Sequence, residues 1–317
     1  MSFQARRIAA AAALGAALLV PSAAGAQAWV PPEGQGSVSV LYHHLFVQDH
    51  LFSRGDRHDS GHIRTQVVTA DLEYGLTDRF SLRALLPYVA AKYTGPRPHR
   101  HRGEPPHGFR FLDDSTYHSA VQDFRLEGRY GALELPLAIA PFVAVSFPTH
   151  NYEFFAHSAI GLNMSELQIG TYVGALRGPF SFQGRVSHGF YERVLGHRRR
   201  RSNIDAEIGW SAGRNVRLFA FQLAQISHGV FEIPFEQLSA LSAEEWWPHH
   251  DQLGRANLLN VGGGVSIRVT PSLALNGSLL TTAIGANTHA VKYGVTVGTT
   301  WAFGEPRPSH GTSVRQP

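Results

Sequence analysis

The stretch VKYGVTVGTTWAF, residues 291–303, alternates almost without a break between two kinds of side chain. A period of two is typical of a β-strand that presents different side chains on its two faces. Aromatic residues at the end of such a strand suit the boundary between water and lipid. One predicted face carries Val291, Tyr293, Val295, Val297, Thr299, Trp301 and Phe303, and the other carries Lys292, Gly294, Thr296, Gly298, Thr300 and Ala302.

The N-terminus has the organisation of a secretory signal peptide. Arg6 and Arg7 precede an apolar run at 8–20, and small residues at 24–26 resemble a cleavage site. We therefore predict a signal peptide at 1–26, a barrel domain at 27–303 and a polar C-terminal tail at 304–317. A retained N-terminal anchor is the alternative.

Composition excludes several classes of protein. The chain has no cysteine, which excludes disulfide scaffolds and thiolate metal sites. Removing Arg6 and Arg7 from 28 basic residues leaves 26 against 24 acidic residues, so no polybasic nucleic-acid binder is indicated. Mean hydropathy is −0.14, far below that of a helical membrane protein, whereas a barrel conceals its apolar half in alternation.

The same alternation recurs along the chain and predicts about 12 strands. Short connections rich in Gly, Pro, Asn or Asp alternate with long ones, as in bacterial outer-membrane barrels. The fold class is therefore an all-β, transmembrane, antiparallel up-and-down barrel, and a soluble β-sandwich or jelly roll is the alternative. The predicted strands are 37–47, 64–75, 80–91, 119–131, 138–147, 160–176, 180–191, 202–212, 216–227, 256–269, 273–284 and 290–303.

Charged residues fix which face of each strand points inward. An Arg facing lipid near the midplane costs about 2–4 kcal/mol, so the charged faces must line the lumen. The lumen-facing candidates are Asp71, Glu73, Arg83, Asp123, Arg125, Glu127, Arg129, Glu166, Arg185, Asp205 and Glu207.

This interior has two interpretations. The charges select solutes in a water-filled pore, or they pair across strands and fill a closed lumen. Small inward residues in the last three strands favour the pore because they leave space. These residues are Gly262, Gly264, Ser266, Asn276, Ser278, Thr296 and Gly298.

Two sets of loop residues suggest binding. Histidines recur at 58, 62, 99, 101, 107, 249 and 250, but without the fixed spacing of a metal site, so no metal ligand and no cofactor are predicted. Arg198, Arg199, Arg200 and Arg201 are expected at the rim of an external loop, where guanidinium groups would contact lipopolysaccharide phosphates. A solvated charge run is the alternative. The apolar spacing of 235–247 predicts a loop helix that gates the mouth or packs on the surface.

Catalysis is not indicated. The Ser-His neighbours at 157–158, 187–188 and 227–228 would point to opposite faces of a strand, out of hydrogen-bonding reach. The pattern of outer-membrane phospholipase is absent, and we expect no enzyme.

Several stretches resemble a family of bacterial outer-membrane proteins labelled as a meta-pathway of phenol degradation. They are AWVPP at 28–32, LEYGLTDRFSL at 72–82, LPY at 86–88, QDFR at 122–125 and residues 141–152. The resemblance implies a barrel that transports small aromatic or hydrophobic compounds, and it implies no catalytic residue.

The sequence thus predicts an outer-membrane channel for passive uptake or efflux of small solutes in a Gram-negative-type bacterium. The alternative is a closed structural or binding barrel with His-rich loops that contact lipopolysaccharide or metal. We expect export by the general secretory route. The expected partners are the barrel-insertion machinery, outer-membrane lipids and lipopolysaccharide, and a small-molecule solute. Nucleic acid is not an expected partner.

Overall fold

The computed structural model describes residues 28–95, 110–133, 137–229, 231–241 and 244–304. The predicted signal peptide, the tail beyond Gly304 and the histidines at 99, 101 and 107 lie outside these ranges. Within them, no helix has the length and apolar character needed to cross a membrane.

The chain folds into one antiparallel ring of strands. β4 and β5 are consecutive parts of one barrel strand, interrupted at Gln122, so the ring has 12 positions. β1 pairs with β13, and this pairing closes the barrel, as predicted. The strands are β1 (Gly36–Leu51), β2 (Arg57–Thr77), β3 (Phe80–Thr94), β4 (His118–Val121), β5 (Asp123–Tyr130), β6 (Leu137–Pro148), β7 (Glu166–Arg177), β8 (Phe180–Val194), β9 (His197–Ala212), β10 (Val216–His228), β11 (Asn257–Arg268), β12 (Leu273–Ala286) and β13 (Thr288–Phe303).

The two ends of the barrel differ. The short-turn end has the connections 78–79, 131–136, 178–179, 213–215 and 269–272. The long-loop end has the connections 95–117, 149–165 and 229–256, together with the short ones at 52–56, 195–196 and 287. The loop helix predicted at 235–247 is helical only in its first part, where a helical turn at Phe235–Gln237 leads into α1 (Leu238–Leu241). A second short helix, α2 (His250–Leu253), follows the predicted range.

Side chains alternate between the lumen and the outer face. The outer face exposes large apolar side chains, among them Val40, Tyr42, Leu72, Tyr88, Val143, Ile169, Val186, Ile208, Leu279 and Trp301. In β13 the predicted alternation holds from Tyr293 to Trp301. It fails at Val291, which is buried, and Lys292, which is exposed, because the register with β1 shifts there. This shift lets the Lys292 ammonium bind the Gln48 side chain outside at 2.8 Å.

Three predicted loops at the long-loop end have the wrong bounds. β1 extends to Leu51 and β2 begins at Arg57, so the predicted loop at 48–63 is mostly strand. β8 and β9 likewise meet in a tight turn at 195–196 instead of a loop at 192–201. β7 begins at Glu166 rather than at residue 160, and the residues before it pack as a loop.

The space expected beside the last three strands is filled. A Cβ added at Gly262 or Gly264 would approach the Phe221 or Phe219 ring to 2.4 or 2.5 Å, so these rings lie directly on the glycines. Leu41 covers Gly298 in the same way. The small inner residues therefore accommodate neighbouring side chains, and the open cavity lies on the other side of the lumen.

Candidate functional site in the barrel lumen

All eleven predicted lumen residues lie on the inner wall, where they belong to a set of ion pairs or line one cavity. The wall adds three arginines that the sequence analysis did not place in the lumen: Arg199, Arg201 and Arg217. Positive and negative charges thus lie side by side on the part of the wall between β2 and β10, which favours pairing over a field of one sign.

Neighbouring strands supply the partners of each pair. Arg83 of β3 binds the Asp71 carboxylate of β2 through Nε at 2.9 Å and Nη2 at 2.6 Å. Arg185 of β8 pairs with Asp205, which lies directly opposite on β9. Two contacts fix the orientation of each guanidinium group more tightly than a single hydrogen bond would.

Glu127 connects several residues at the centre of this wall. Its carboxylate accepts hydrogen bonds from Arg125 at 2.6 Å and from the Tyr172 hydroxyl at 3.1 Å. Arg129 reaches Glu127 at 3.6 Å and pairs with Glu73 of β2. Because Glu127 and Arg129 are each only 1% exposed, this cluster is a fixed part of the barrel interior.

A second buried pair lies nearer the long-loop end. Arg201 of β9 binds Glu166 of β7 through Nε at 2.8 Å and Nη2 at 2.5 Å, across the intervening β8. The Tyr191 ring of β8 packs against the Arg201 guanidinium, 5.3 Å from its centroid. This pair crosses the inner surface of three strands.

These pairs enclose a cavity of about 160 Å³. One part of its wall is ionic, with Arg83, Arg125, Arg185 and Arg201 beside their acids. Another part is apolar and aromatic, formed by Leu85, Pro87, Leu162, Met164, Tyr172, Tyr191, Phe221 and Leu223. The cavity can therefore hold a solute that has both a polar and an apolar side.

The N-terminal segment lies inside the short-turn end. Ala28 is buried against the inward side chains of β6 and β7, including Phe142 and Tyr172. A Cβ added at Gly174 would meet the Trp29 ring at 2.7 Å, and one at Gly75 of β2 would meet backbone oxygens of 31–32. Residues 28–32 therefore run from β6 and β7 across this end of the lumen before β1 begins.

Connections cover the long-loop end. The Asp113 carboxylate accepts hydrogen bonds from the backbone of 157–158 and from the Ser158 hydroxyl at 2.9 Å. The Gln252 side chain of α2 donates to the Leu162 carbonyl at 2.7 Å. The described parts of three connections, at 110–117, 149–165 and 244–256, are thereby joined into one cover.

This cover is attached to the wall through Tyr152 and Arg199. The Tyr152 hydroxyl donates to the Asp123 carboxylate of β5. Burial and the adjacent Asp123 charge raise the pKa of Tyr152, so its hydroxyl stays protonated and able to donate. Arg199 donates to the Asp251 carbonyl of α2 at 2.7 Å and to Ser227 at 3.1 Å.

The four consecutive arginines do not lie together on a loop. They belong to β9, where a period of two sends Arg199 and Arg201 into the lumen and Arg198 and Arg200 outward. Lipopolysaccharide contact is therefore wrong for Arg199 and Arg201, which are 1% and 5% exposed, and stays a prediction for Arg198 and Arg200.

The Ser-His neighbours take the placement expected of strands. Ser187 and Ser227 are buried in the lumen, whereas His188 and His228 are on the outer face. Ser158 instead binds Asp113 and the Leu112 carbonyl. In the part of the chain that the structure describes, no three His, Cys, Asp or Glu side chains gather as metal ligands would.

Comparison with known proteins supports the fold. No protein-family model and no curated protein matches the chain. An outer membrane channel from Pseudomonas putida F1 is similar in structure, with a TM-score of 0.67 at 16% identity, covering 88% of this chain and 99% of the other. The β domain of the Bordetella autotransporter Brka, at 11% identity, gives a TM-score of 0.48 and covers 86% and 100%. The NanC porin, at 6% identity, also gives 0.48 and covers 83% and 98%. The chain thus has the fold of outer-membrane barrels.

Proposed function

We propose that this protein is an outer-membrane channel that lets small solutes pass passively, with its long-loop end outside the cell. The observation that carries the proposal is the lumen: paired charges surround a cavity inside a ring whose outer face is apolar. Charged inner walls and loop-controlled access are the means by which such pores select solutes.

Both ends of the cavity are covered, so passage requires motion at each end. The covers differ in how they are held. Residues 28–32 pack mainly through apolar contacts and glycine surfaces, whereas the opposite cover is held by hydrogen bonds to Asp113, Asp123 and Asp251. Segments held this way can move without breaking the strand ladder, since none of them is a barrel strand.

The solute we favour is a single-ring aromatic compound with a polar substituent. A cavity of about 150 Å³ is enough for one benzene ring. The cavity here is of this size, about 160 Å³, and sets Tyr172, Tyr191 and Phe221 beside arginines. Arginine and aromatic faces both bind flat rings, while the paired charges keep the wall wetted.

Planar-bilayer recording of the purified mature protein tests the channel. We expect discrete conductance steps, and a closed structural barrel would give none. A Gly174→Trp variant, which adds bulk beside Trp29 in the lumen, should change the steps, while Val297→Trp on the outer face should not. Flux of phenol and benzoate into protein-loaded vesicles then tests the solute, with glucose as the comparison. Conductance without preference for the aromatic solutes would reject the proposed solute class, while the proposal of a channel would stand.

A further inference from the structure

We propose that the outer ends of β8, β9 and β10 form a binding site for the phosphate groups of lipid A in the outer leaflet. The site consists of Arg193, Arg198, Arg200, His188 and His228. It is separate from the lumen and does not rest on the proposed channel function.

Position along the strand sets the height of the site. Arg200 lies ten positions before Trp210 on the same outward face of β9, and Trp210 is beside Phe180 at the short-turn end. At about 3.4 Å per residue and a tilt of about 40°, ten residues rise about 26 Å. The lipid-facing band of such barrels is about 25 Å tall, which puts Arg200 at the level of outer-leaflet headgroups.

Like charges meet directly in this region. Arg193 of β8 is opposite Arg198 of β9 in the ladder, and both are exposed. Arg200 is opposite His228 of β10 on one side and Phe190 on the other. Like charges placed opposite each other destabilise a strand pair, and a bound anion between them would remove the repulsion.

The two histidines complete a set of phosphate-binding groups. His188 Nδ1 and His228 Nε2 each lie 3.0 Å from the Ser202 hydroxyl, with ring centroids 5.6 Å apart. Arginine, imidazole N–H and hydroxyl groups are all donors to phosphate oxygens. In the described part of the chain, no carboxylate or carboxamide orients either imidazole, so the contact is better suited to binding than to a serine-hydrolase reaction.

The three arginines of the site differ from those of the lumen. None of the ion pairs among the described residues includes Arg193, Arg198 or Arg200. The nearest acid along these strands, Glu192, is exposed and forms no such pair. Below the site the face is apolar, with Val186 and Ile204 exposed, as acyl chains require. A phosphorylated lipid matches both the charge above and the apolar surface below.

The test compares lipid binding by two charge-matched variants. The site variant is R193Q/R198Q/R200Q, and the control is R177Q/R214Q/R268Q, which removes three exposed arginines from the short-turn end. Native mass spectrometry in detergent measures binding of bisphosphorylated lipid A, of the same lipid without phosphates, and of inorganic phosphate. Heat-modifiable gel migration confirms that each variant is folded, and R200Q alone serves if the triple variant is not.

We expect lipid A to bind the wild type and the control equally, and the site variant at least about tenfold more weakly, because charge-assisted hydrogen bonds are lost. Lipid A without phosphates should bind the wild type about tenfold more weakly than bisphosphorylated lipid A does. Equal binding by the site variant, or equal binding of dephosphorylated lipid, would overturn the proposal. Displacement of lipid A by inorganic phosphate at the same concentration would also overturn it, because the site would then prefer free phosphate.

Discussion

Tyr152, in the connection between β6 and β7, donates its hydroxyl to the carboxylate of Asp123 on the inner wall of β5. The same oxygen accepts the backbone N–H of Asn163 at 3.0 Å, so it holds two parts of one connection against the barrel. The contact attaches the cover of the long-loop end to the wall. Its removal is therefore the most direct way to loosen the cover without changing the ring of strands.

A Tyr152→Phe variant keeps the ring and deletes this hydrogen bond. Loss of a bond to a buried carboxylate costs about 1.5–3 kcal/mol, which is roughly a tenfold or larger change in the population of the open cover. We expect a higher open probability in planar-bilayer recordings, with the size of the single-channel step little changed.

Tyr130→Phe is the matched control, since Tyr130 is exposed on the outer face of the same strand as Asp123. It should leave the recordings unchanged. If Tyr152→Phe also left the open probability unchanged, the cover would not limit access.

The Arg201–Glu166 pair should contribute strongly to stability because both side chains are buried. A Glu166→Gln variant leaves the Arg201 charge buried without its partner, and we expect the free energy of unfolding to fall by about 3–5 kcal/mol. Denaturant unfolding of the barrel in lipid vesicles measures this difference. The exposed Arg54–Glu236 pair is the comparison: Glu236→Gln should cost less than about 1 kcal/mol. Equal effects of the two variants would contradict the assignment of Glu166 to a buried, paired position.

The barrel was predictable because lipid imposes a strong constraint on every strand. Runs such as Asp123 to Tyr130 alternate charge with apolar bulk, and only one orientation keeps the charges out of hydrocarbon. The same constraint predicts Asp205 and Glu207 on the inner face of β9, and in the structure both line the cavity. It weakens above the membrane, where both faces of a strand are in water.

The boundary errors occur at that level. Arg199 and Arg201 are odd-numbered, like the inward residues Asn203 and Asp205 of β9. Extending this alternation from Asn203 to residues 201 and 199 would have placed both arginines in the lumen. The start of β7 also carried a signal. Leu162 and Met164 alternate in one phase and Leu167 in the other, and this change of phase at 165 marks the true boundary.

Contacts between distant segments could not be predicted from spacing. Ala28 shares a buried cluster with Tyr172, and Asp113 binds Ser158, through segments whose paths no local period encodes. The segments that contain these residues have no distinctive composition, and only closure of the barrel brings them together. The register shift beside Val291 is likewise a property of the pair β1 and β13 rather than of either strand.

The N-terminal segment should restrict the short-turn end. Trp29→Ala removes the ring that packs on Gly174, and the resulting loss of contact should loosen residues 28–32. We expect a larger single-channel conductance, in contrast to the change in open probability expected at Tyr152. Trp301→Ala removes an indole from the outer face instead and should leave the conductance unchanged. If Trp29→Ala and Trp301→Ala conducted alike, the segment would not be part of the permeation path.

Ion selectivity should follow the Arg185–Asp205 pair, because both side chains line the cavity and remain partly exposed. Asp205→Asn leaves an uncompensated cation on the wall and should favour anions, whereas Arg185→Gln should favour cations. One unit charge acting over about 4 Å contributes about 1 kcal/mol even in bulk water, which is roughly a fivefold change in the permeability ratio. Reversal potentials in a KCl gradient measure the ratio. The double variant removes both charges and should return near the wild-type value, so shifts of the same sign in the two single variants would show that ions do not pass this pair.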